Sequence, residues 1–162
     1  MTYVYVSIGS NIEREKNIRA GVAALKARYG DVTLSSVYES EAVGFAGDNF
    51  YNLVVGFDTE EDVRQVVSVL QVIEDLHGRE RTGPKFSSRT LDLDLLLYDD
   101  LIINKGKLQL PRYELSRNAF VLWPMAEIAP ELKHPVFKKS YAELWERFDK
   151  ASQPLWPIEF TF

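Results

Sequence analysis

Asp92 and Asp94 are the residues whose type and spacing first indicate chemistry. They interrupt the leucine-rich stretch RTLDLDLLLYDD, residues 89–100, which otherwise predicts a buried strand. Side chains alternate along a strand, so both carboxylates share one face, with their α-carbons about 6.6 Å apart. Two such carboxylates repel each other unless a cation lies between them, and oxygen ligands suit Mg²⁺. The pair predicts a site for two Mg²⁺ ions, and the alternative is a polar strand face without a ligand. The leucines expected on the opposite, core-facing side are Leu91, Leu93, Leu95 and Leu97.

A basic segment, RERTGPKFSSR at residues 79–89, comes directly before this strand. Its four basic residues and one acid give it a charge of +3, whereas the whole 162-residue chain has a net charge of −5. Cations beside metal-binding acids are what a polyphosphate requires, although a basic segment alone is also typical of a solvated surface. The neighbouring Gly78–Lys85 stretch is not a P-loop, because Pro84 separates its second glycine from Lys85 and Phe86 replaces the Ser or Thr.

The composition excludes several other classes of protein. Cysteine is absent, so disulfides and thiolate metal sites are ruled out, and neither of the two histidines belongs to a metal-binding motif. The acidic net charge argues against a general nucleic-acid or membrane-surface binder. No apolar run approaches the roughly 20 residues of a membrane span, and the N-terminus does not resemble a signal peptide. We therefore expect a cytoplasmic protein that is a monomer and binds small molecules, with neither nucleic acid nor membrane as a partner.

The elements that must position the acids follow a β-α-β-β-α-β order. Apolar periodicity predicts strands at residues 3–8, 32–39, 51–57 and 89–98, and helices from about 13 to 29 and from Asp58 or Thr59 to Gly78. This is the split βαβ order of ferredoxin-like folds. A hairpin turning at Asn104–Gly106 and a short helix in SYAELWERF follow it. The prediction is one α+β domain over residues 1–162, with a ferredoxin-like βαββαβ core, an added hairpin and a C-terminal helix. The apolar tail after residue 150 has no predicted role.

Together these segments resemble the 6-hydroxymethyl-7,8-dihydropterin pyrophosphokinase family of folate biosynthesis. The most specific piece is R-T-L-D-L-D-L-L-L-Y, and G-S-N, Y-x-S-x-x-x-G, F-x-N-L-V-V and F-V-L-W-P stand at the intervals that the family shows. The resemblance runs from the first strand to about residue 132. It implies transfer of pyrophosphate from ATP to the hydroxymethyl group of the pterin, with release of AMP. It also implies two Mg²⁺ ions and ATP as co-substrate.

The resemblance also implies roles for individual residues. Asp92 and Asp94 match the metal-binding acids, and Arg81 and Arg89 match arginines that contact the triphosphate. The residues implied for the pterin are Ser40, Val43, Gly44, Phe50, Asn52 and Phe120. The residues implied for the nucleotide are Glu74, Arg81, Arg89, Leu95, Lys107, Arg112 and Tyr113. Stacking between two aromatic rings suits a flat heterocycle, and an asparagine amide suits its hydrogen-bonding edge, although Phe50 and Phe120 also read as plain core.

Some positions depart from the family pattern. Arg112 stands where the family usually has histidine. The family has an arginine two residues before the phenylalanine, whereas here Arg117 stands three residues before Phe120 and Asn118 takes the matching place. Arg112 either replaces the contact of the histidine or is simply solvated. Two other functions remain open on the residues alone: a two-metal nucleotide hydrolase, and a non-enzymatic ferredoxin-like binding domain.

Overall fold

The computed structural model describes residues 1–41, 47–78 and 90–162, and it is built on one twisted antiparallel sheet. The strands of this sheet are β1 (Thr2–Ser10), β2 (Thr33–Leu34), β3 (Val37–Ser40), β4 (Phe50–Thr59), β5 (Asp92–Tyr98) and β8 (Leu155–Ile158). Their order is β5-β1-β4-β3-β8, and β2 also pairs with β4. Each βαβ unit therefore has a strand of the other unit between its own two strands, as the predicted ferredoxin-like order requires. The α+β fold class is confirmed.

Two helices cover one face of the sheet. They are α1 (Arg14–Tyr29) and α2 (Val63–Leu76). The apolar sides of these helices pack on the inward side chains of the strands, among them Ile8, Leu53 and Leu93. The predicted start of the second helix was wrong, because β4 continues to Thr59 and the helix begins only at Val63. Asp62 and Gln65 form a capping box there, which satisfies two backbone N–H groups of the first turn.

The opposite face of the sheet is covered by helices from the second half of the chain. They are α3 (Glu114–Arg117), α4 (Ala119–Ile128) and α5 (Tyr141–Glu146). Their apolar residues form a second core with Val54, Leu96 and Leu97. The short C-terminal helix was predicted, whereas α3 and α4 were not. Pro124 lies inside α4 and lacks the N–H that a helix interior normally uses, which is why this segment did not read as helical.

A bulge in the pairing of β1 with β5 changes the expected side of one leucine. The register shifts between Tyr5 and Val6, so that Leu96 has no partner of its own. Leu91, Leu93 and Leu95 pack in the first core as predicted, but Leu97 joins Leu96 in the second core. The prediction for Leu97 was wrong because strict alternation does not continue past the bulge.

The added hairpin is present, as β6 (Ile103–Lys105) and β7 (Leu108–Leu110). Its turn lies at Gly106 and Lys107, so Asn104 and Lys105 belong to the strand rather than to the predicted turn. A cis peptide bond joins Leu110 to Pro111 directly after the hairpin.

The C-terminal tail, which had no predicted role, completes the sheet. After a single 3₁₀ turn (Lys150–Ser152), β8 pairs antiparallel with β3, which would otherwise be the edge of the sheet. Beyond β8, the Arg19 side chain donates a hydrogen bond to the carbonyl of Thr161 at 2.7 Å and lies over the ring of Phe160. The tail thus packs on the body that the earlier strands form. Within the described part of the chain, no helix is long and apolar enough to cross a membrane.

Buried His134 is expected to make the stability of the fold depend on pH. The side chain is 4% exposed, and Nδ1 accepts hydrogen bonds from the backbone N–H groups of Val136 and Phe137 at 3.1 and 3.2 Å. Burial lowers the pKa of His134, so the folded state resists the proton that the unfolded state accepts near pH 6.5. We expect the free energy of unfolding to fall as the pH drops below about 6.5. Urea titrations between pH 7.5 and 5 will measure this free energy. Its change with pH should be smaller in the variant His134→Asn. An equal pH dependence of stability in that variant would contradict the role given to His134.

Candidate active site

Asp92, Asp94 and Asn52 are brought onto one face of the sheet by the strand register. Gly9 on β1 lies directly opposite Asp92 on β5 and also directly opposite Asn52 on β4, and Ser7 lies opposite Asp94. Directly paired residues point to the same face, and two strand spacings separate Asp92 from Asn52 by about 9.6 Å. A carboxylate and an amide therefore stand on either side of a residue without a side chain, which leaves room over Gly9 for the Asn52 side chain.

Gly9 is a requirement of this arrangement. A Cβ atom built at Gly9 would lie 2.6 Å from Oδ1 of Asn52, closer than real Cβ atoms come to other atoms. Asn52 itself is 7% exposed, and its Nδ2 donates to Oγ of Ser40 at 3.4 Å. Any larger residue at position 9 must push the Asn52 amide out of place. Sequence reasoning noted the G-S-N motif but assigned no role to Gly9.

The other described residues predicted for the pterin lie on this same face. Phe50 and Asn52 are two residues apart on β4, so their side chains point to the same face of the sheet. Ser40 on β3 lies directly opposite Phe50. Phe120 on α4 packs against the second core, which covers this side of the sheet. Ser40, Phe50, Asn52 and Phe120 are thus grouped with the two aspartates. The predicted residues Val43 and Gly44 lie outside the described residues.

Glu74 supports the edge of the sheet beside the acid pair. β5 is an edge strand, so alternate N–H groups point away from β1 and need another acceptor. The Oε2 atom of Glu74, which is 4% exposed at the end of α2, accepts from the backbone N–H of Leu93 at 2.8 Å. Glu74 therefore fixes the residue between Asp92 and Asp94.

An open cleft of about 680 Å³ lies where α2, β5 and the hairpin meet. Four of the residues predicted for the nucleotide line it: Glu74, Leu95, Lys107 and Arg112. Asp94 lines the cleft as well, so the cleft and the face that carries Asn52 meet at the acid pair. Tyr113 is not among the lining residues; it is 37% exposed next to Arg112, and the Arg117 guanidinium lies 5.6 Å from its ring centre. Arg81 and Arg89 lie outside the described residues. The remaining polar lining residues are Arg64, Ser68, Gln71, Lys105 and Gln109.

Arg112 connects the cleft to the acid pair. Nε donates to Oε2 of Glu114 at 2.6 Å, and a terminal nitrogen lies 3.4 Å from Oδ1 of Asp94. Burial alone lowers the pKa of Arg112, but the charges of Asp94, Glu114 and Asp92 outweigh it and raise the pKa above its ordinary value. The alternative that Arg112 is merely solvated is wrong, since it is held between two carboxylates. Sequence reasoning missed Glu114, whose only signal is its place two residues after Arg112.

The acid pair fits a magnesium ion by its donor set. In residues 1–41, 47–78 and 90–162, no group of three or more His, Asp or Glu side chains is placed to enclose a metal. The protein instead offers two carboxylates on a rigid strand. Mg²⁺ usually takes one or two protein carboxylates and completes its shell with water and substrate phosphates. Asp92 and Asp94 suit a metal that arrives with a phosphate ligand.

The fold and the site together define a class of α+β protein with an acid pair at the meeting point of two surfaces, and comparison with known proteins identifies the family. Residues 5–130 match the 7,8-dihydro-6-hydroxymethylpterin-pyrophosphokinase family. The 2-amino-4-hydroxy-6-hydroxymethyldihydropteridine pyrophosphokinase of Pseudomonas aeruginosa is 36% identical over 136 residues, which cover 82% of this chain and 83% of the relative. The enzyme of the same name from Aquifex aeolicus is 32% identical over 145 residues, covering 88% and 90%. The chain belongs to the 7,8-dihydro-6-hydroxymethylpterin-pyrophosphokinase family, and the predicted enzyme family is confirmed.

Solved structures support the fold. The chain is similar to the Plasmodium falciparum HPPK-DHPS structure with pteroate, with a TM-score of 0.72 and 15% identity over 90% of this chain. A further HPPK-DHPS structure, in complex with substrates, gives a TM-score of 0.74 at 13% identity over 93% of this chain. The chain spans 42% and 44% of these two solved chains, which are therefore much longer.

Proposed function

We propose that this chain transfers the pyrophosphoryl group of ATP to the hydroxymethyl oxygen of 6-hydroxymethyl-7,8-dihydropterin, releasing AMP, as a step of folate biosynthesis. The observation that carries the proposal is the shared position of Asp94. It belongs both to the face that holds Asn52, Phe50 and Phe120 and to the cleft lined by Arg112 and Lys107. A reaction between two substrates needs such a meeting point, where each surface holds one of them.

On the pterin side, the chain would bind a flat ring by aromatic stacking on its faces and by hydrogen bonds to its polar edge. Phe50 and Phe120 supply the aromatic surfaces, and an aromatic pair adds about 0.5–1.5 kcal/mol beyond area burial. The Asn52 amide offers both a donor and an acceptor, and Ser40 next to it orients the amide. Because Gly9 has no side chain, the Asn52 amide can lie over it and present its polar atoms to the edge of the ring. Val43 and Gly44 complete this pocket in the proposal.

On the nucleotide side, the chain would hold the triphosphate in the cleft. Lys107 and Arg112 face the anionic phosphates there, and Arg81 and Arg89 join them in the proposal. Glu74, Leu95 and Tyr113 are assigned to the nucleoside. Two Mg²⁺ ions held by Asp92 and Asp94 would, when bound, neutralise the phosphates and favour ionisation of the pterin hydroxyl.

The chemistry that follows is an in-line displacement at the β-phosphorus. A bond forms from the hydroxymethyl oxygen to the β-phosphorus, and the bond from that phosphorus to the α–β bridging oxygen breaks. AMP leaves with the bridging oxygen, and the hydroxyl proton passes to solvent. The described residues would contribute mainly by positioning the reactants and excluding water, and we assign no side chain as a general base.

We further propose that residues 1–162 act as one domain, since β8 at the end of the chain joins the sheet that β1 begins. The monomeric state and the cytoplasmic location stay predictions.

Product analysis tests the proposed function. With ATP, Mg²⁺ and the reduced hydroxymethyl pterin together, we expect AMP to form in step with loss of the pterin. Omitting the pterin or adding excess chelator should stop AMP formation. Formation of ADP would contradict the proposal, and AMP formed equally well without the pterin would indicate a nucleotide hydrolase instead.

A further inference from the structure

The two contacts of Arg112 differ in strength. The Nε contact with Glu114 is a short, charge-assisted hydrogen bond at 2.6 Å, and the side chain of Glu114 is only 12% exposed. The contact with Asp94 is longer, at 3.4 Å, and the Asp94 side chain is 29% exposed. One end of the guanidinium is therefore anchored in the protein, and the other end rests weakly on a candidate metal ligand at the rim of the cleft.

We propose that Arg112 exchanges partners during substrate binding: it leaves Asp94 when a divalent cation arrives with the triphosphate, and it then binds the phosphate while Glu114 holds its Nε. This inference rests on the proposed function and adds to it the resting partner of Arg112 and a positioning role for Glu114.

Charge balance favours the exchange. In the ligand-free protein, Arg112 is a cation in contact with both Asp94 and Glu114, and Asp92 lies close enough to attract it. A divalent cation on Asp94 takes over that role and repels the guanidinium. The incoming triphosphate offers new acceptors to the planar fork of arginine, which matches phosphate oxygens well.

Glu114 is suited to keep hold of Arg112 throughout the exchange. Its second oxygen, Oε1, is buried and has no hydrogen-bond partner within the described residues. That oxygen can accept an N–H group that Arg112 withdraws from Asp94, so release of Asp94 leaves no donor unpaired. The anchor also keeps the guanidinium at the cleft, where a free arginine side chain would lose orientation.

The first experiment measures two affinities in Arg112→Gln. Without nucleotide, Mn²⁺ binding followed by electron paramagnetic resonance should become about five-fold tighter, because a cation that competes for Asp94 is gone. Binding of a magnesium complex of α,β-methylene ATP, measured by calorimetry, should become about ten-fold weaker, because a charge-assisted contact is lost. The matched control is Arg28→Gln, which also removes an arginine from an ion pair with a glutamate, Glu61, but at the opposite end of the sheet. It should change neither affinity.

A second variant keeps the test decisive if Arg112→Gln folds poorly. Arg112→Lys keeps the charge but cannot hold two partners at once with a planar fork. It should leave Mn²⁺ binding nearly unchanged and still weaken binding of the nucleotide analogue several-fold. An Arg112 that only supports the fold would instead leave both affinities as they are in every variant that folds, which would overturn the proposal.

Glu114→Gln separates the positioning role from a general effect of charge. In the otherwise unchanged protein, this substitution should weaken Mn²⁺ binding, because Arg112 is left with Asp94 as its charged partner. In the background of Arg112→Gln, the same substitution should have a much smaller effect. Equal effects in both backgrounds would show that Glu114 acts only through its own charge and would refute its role through Arg112. The proposed function is tested separately, since AMP formation by the unaltered protein does not depend on any of these outcomes.

Discussion

Replacing Asp94 by alanine is expected to lower turnover by about 10³-fold or more, and Asp92→Ala should do the same. Both carboxylates are the proposed metal ligands, and loss of a ligand removes several kcal/mol of transition-state charge stabilisation. The substitution should leave the fold intact, because Arg112 keeps its short hydrogen bond to Glu114 and the neighbouring leucines keep their places in the core. The effect should therefore appear in kcat, with a small change in the melting temperature.

Asp58→Ala provides the matched control for this prediction. Asp58 also stands on a strand of the same sheet, but it is exposed and lies opposite Tyr3, toward the end remote from Gly9. Its replacement should leave turnover within about two-fold of the unaltered protein, as expected for surface substitutions. Near-normal activity in Asp92→Ala or Asp94→Ala would contradict the metal assignment.

Replacing Asn52 by leucine is expected to raise the KM for the pterin by about 100-fold and to leave the affinity for the nucleotide unchanged. Leucine has a similar size but cannot pair with the polar edge of the ring, and an unpaired buried polar group costs about 1–3 kcal/mol. Steady-state kinetics with each substrate varied in turn will separate the two effects. Equal losses for pterin and ATP would show that the substitution disturbs the whole sheet.

Gly9→Ala should produce a weaker form of the same defect, with a rise in pterin KM of about ten-fold. The new methyl group would lie 2.6 Å from Oδ1 of Asn52, and the end of that side chain can move aside without unfolding the strand. Gly21→Ala is the control, since its methyl group would lie against Leu91 on the other face of the sheet. No change in pterin KM for Gly9→Ala would contradict the role given to Gly9 in leaving room for the Asn52 amide.

The features that could be predicted from the sequence are those carried by local periodicity and by a specific motif. Apolar spacing predicted β1, α1, β4, α2 and β5, and the R-T-L-D-L-D motif indicated the acid pair and the family. Features that depend on pairing between distant segments were not visible. β8 gains its strand only by pairing with β3, and α4 contains a proline that hides its helical character.

In the site, too, some features follow from local sequence patterns and others from pairing between distant segments. Asp92 and Asp94 were visible as residues of an unexpected type in an apolar strand. The row that places Gly9 between Asp92 and Asn52 depends on the register of three strands, which no local pattern reveals. The bulge that turns Leu97 to the other core has the same cause. The anchoring of Arg112 by Glu114 was not visible in the sequence, because two charged residues near each other in sequence are usually solvated.

Transfer of a labelled phosphate tests the central claim most directly. With ATP labelled at the β-phosphorus and the reduced hydroxymethyl pterin, the proposed reaction moves the label to the pterin as part of a diphosphate ester and leaves AMP unlabelled. Separation of the products by chromatography, with ³¹P spectra of the pterin fraction, will show two coupled phosphorus signals on the pterin if the account is right. Label recovered in ADP, or in free diphosphate formed without the pterin, would contradict it.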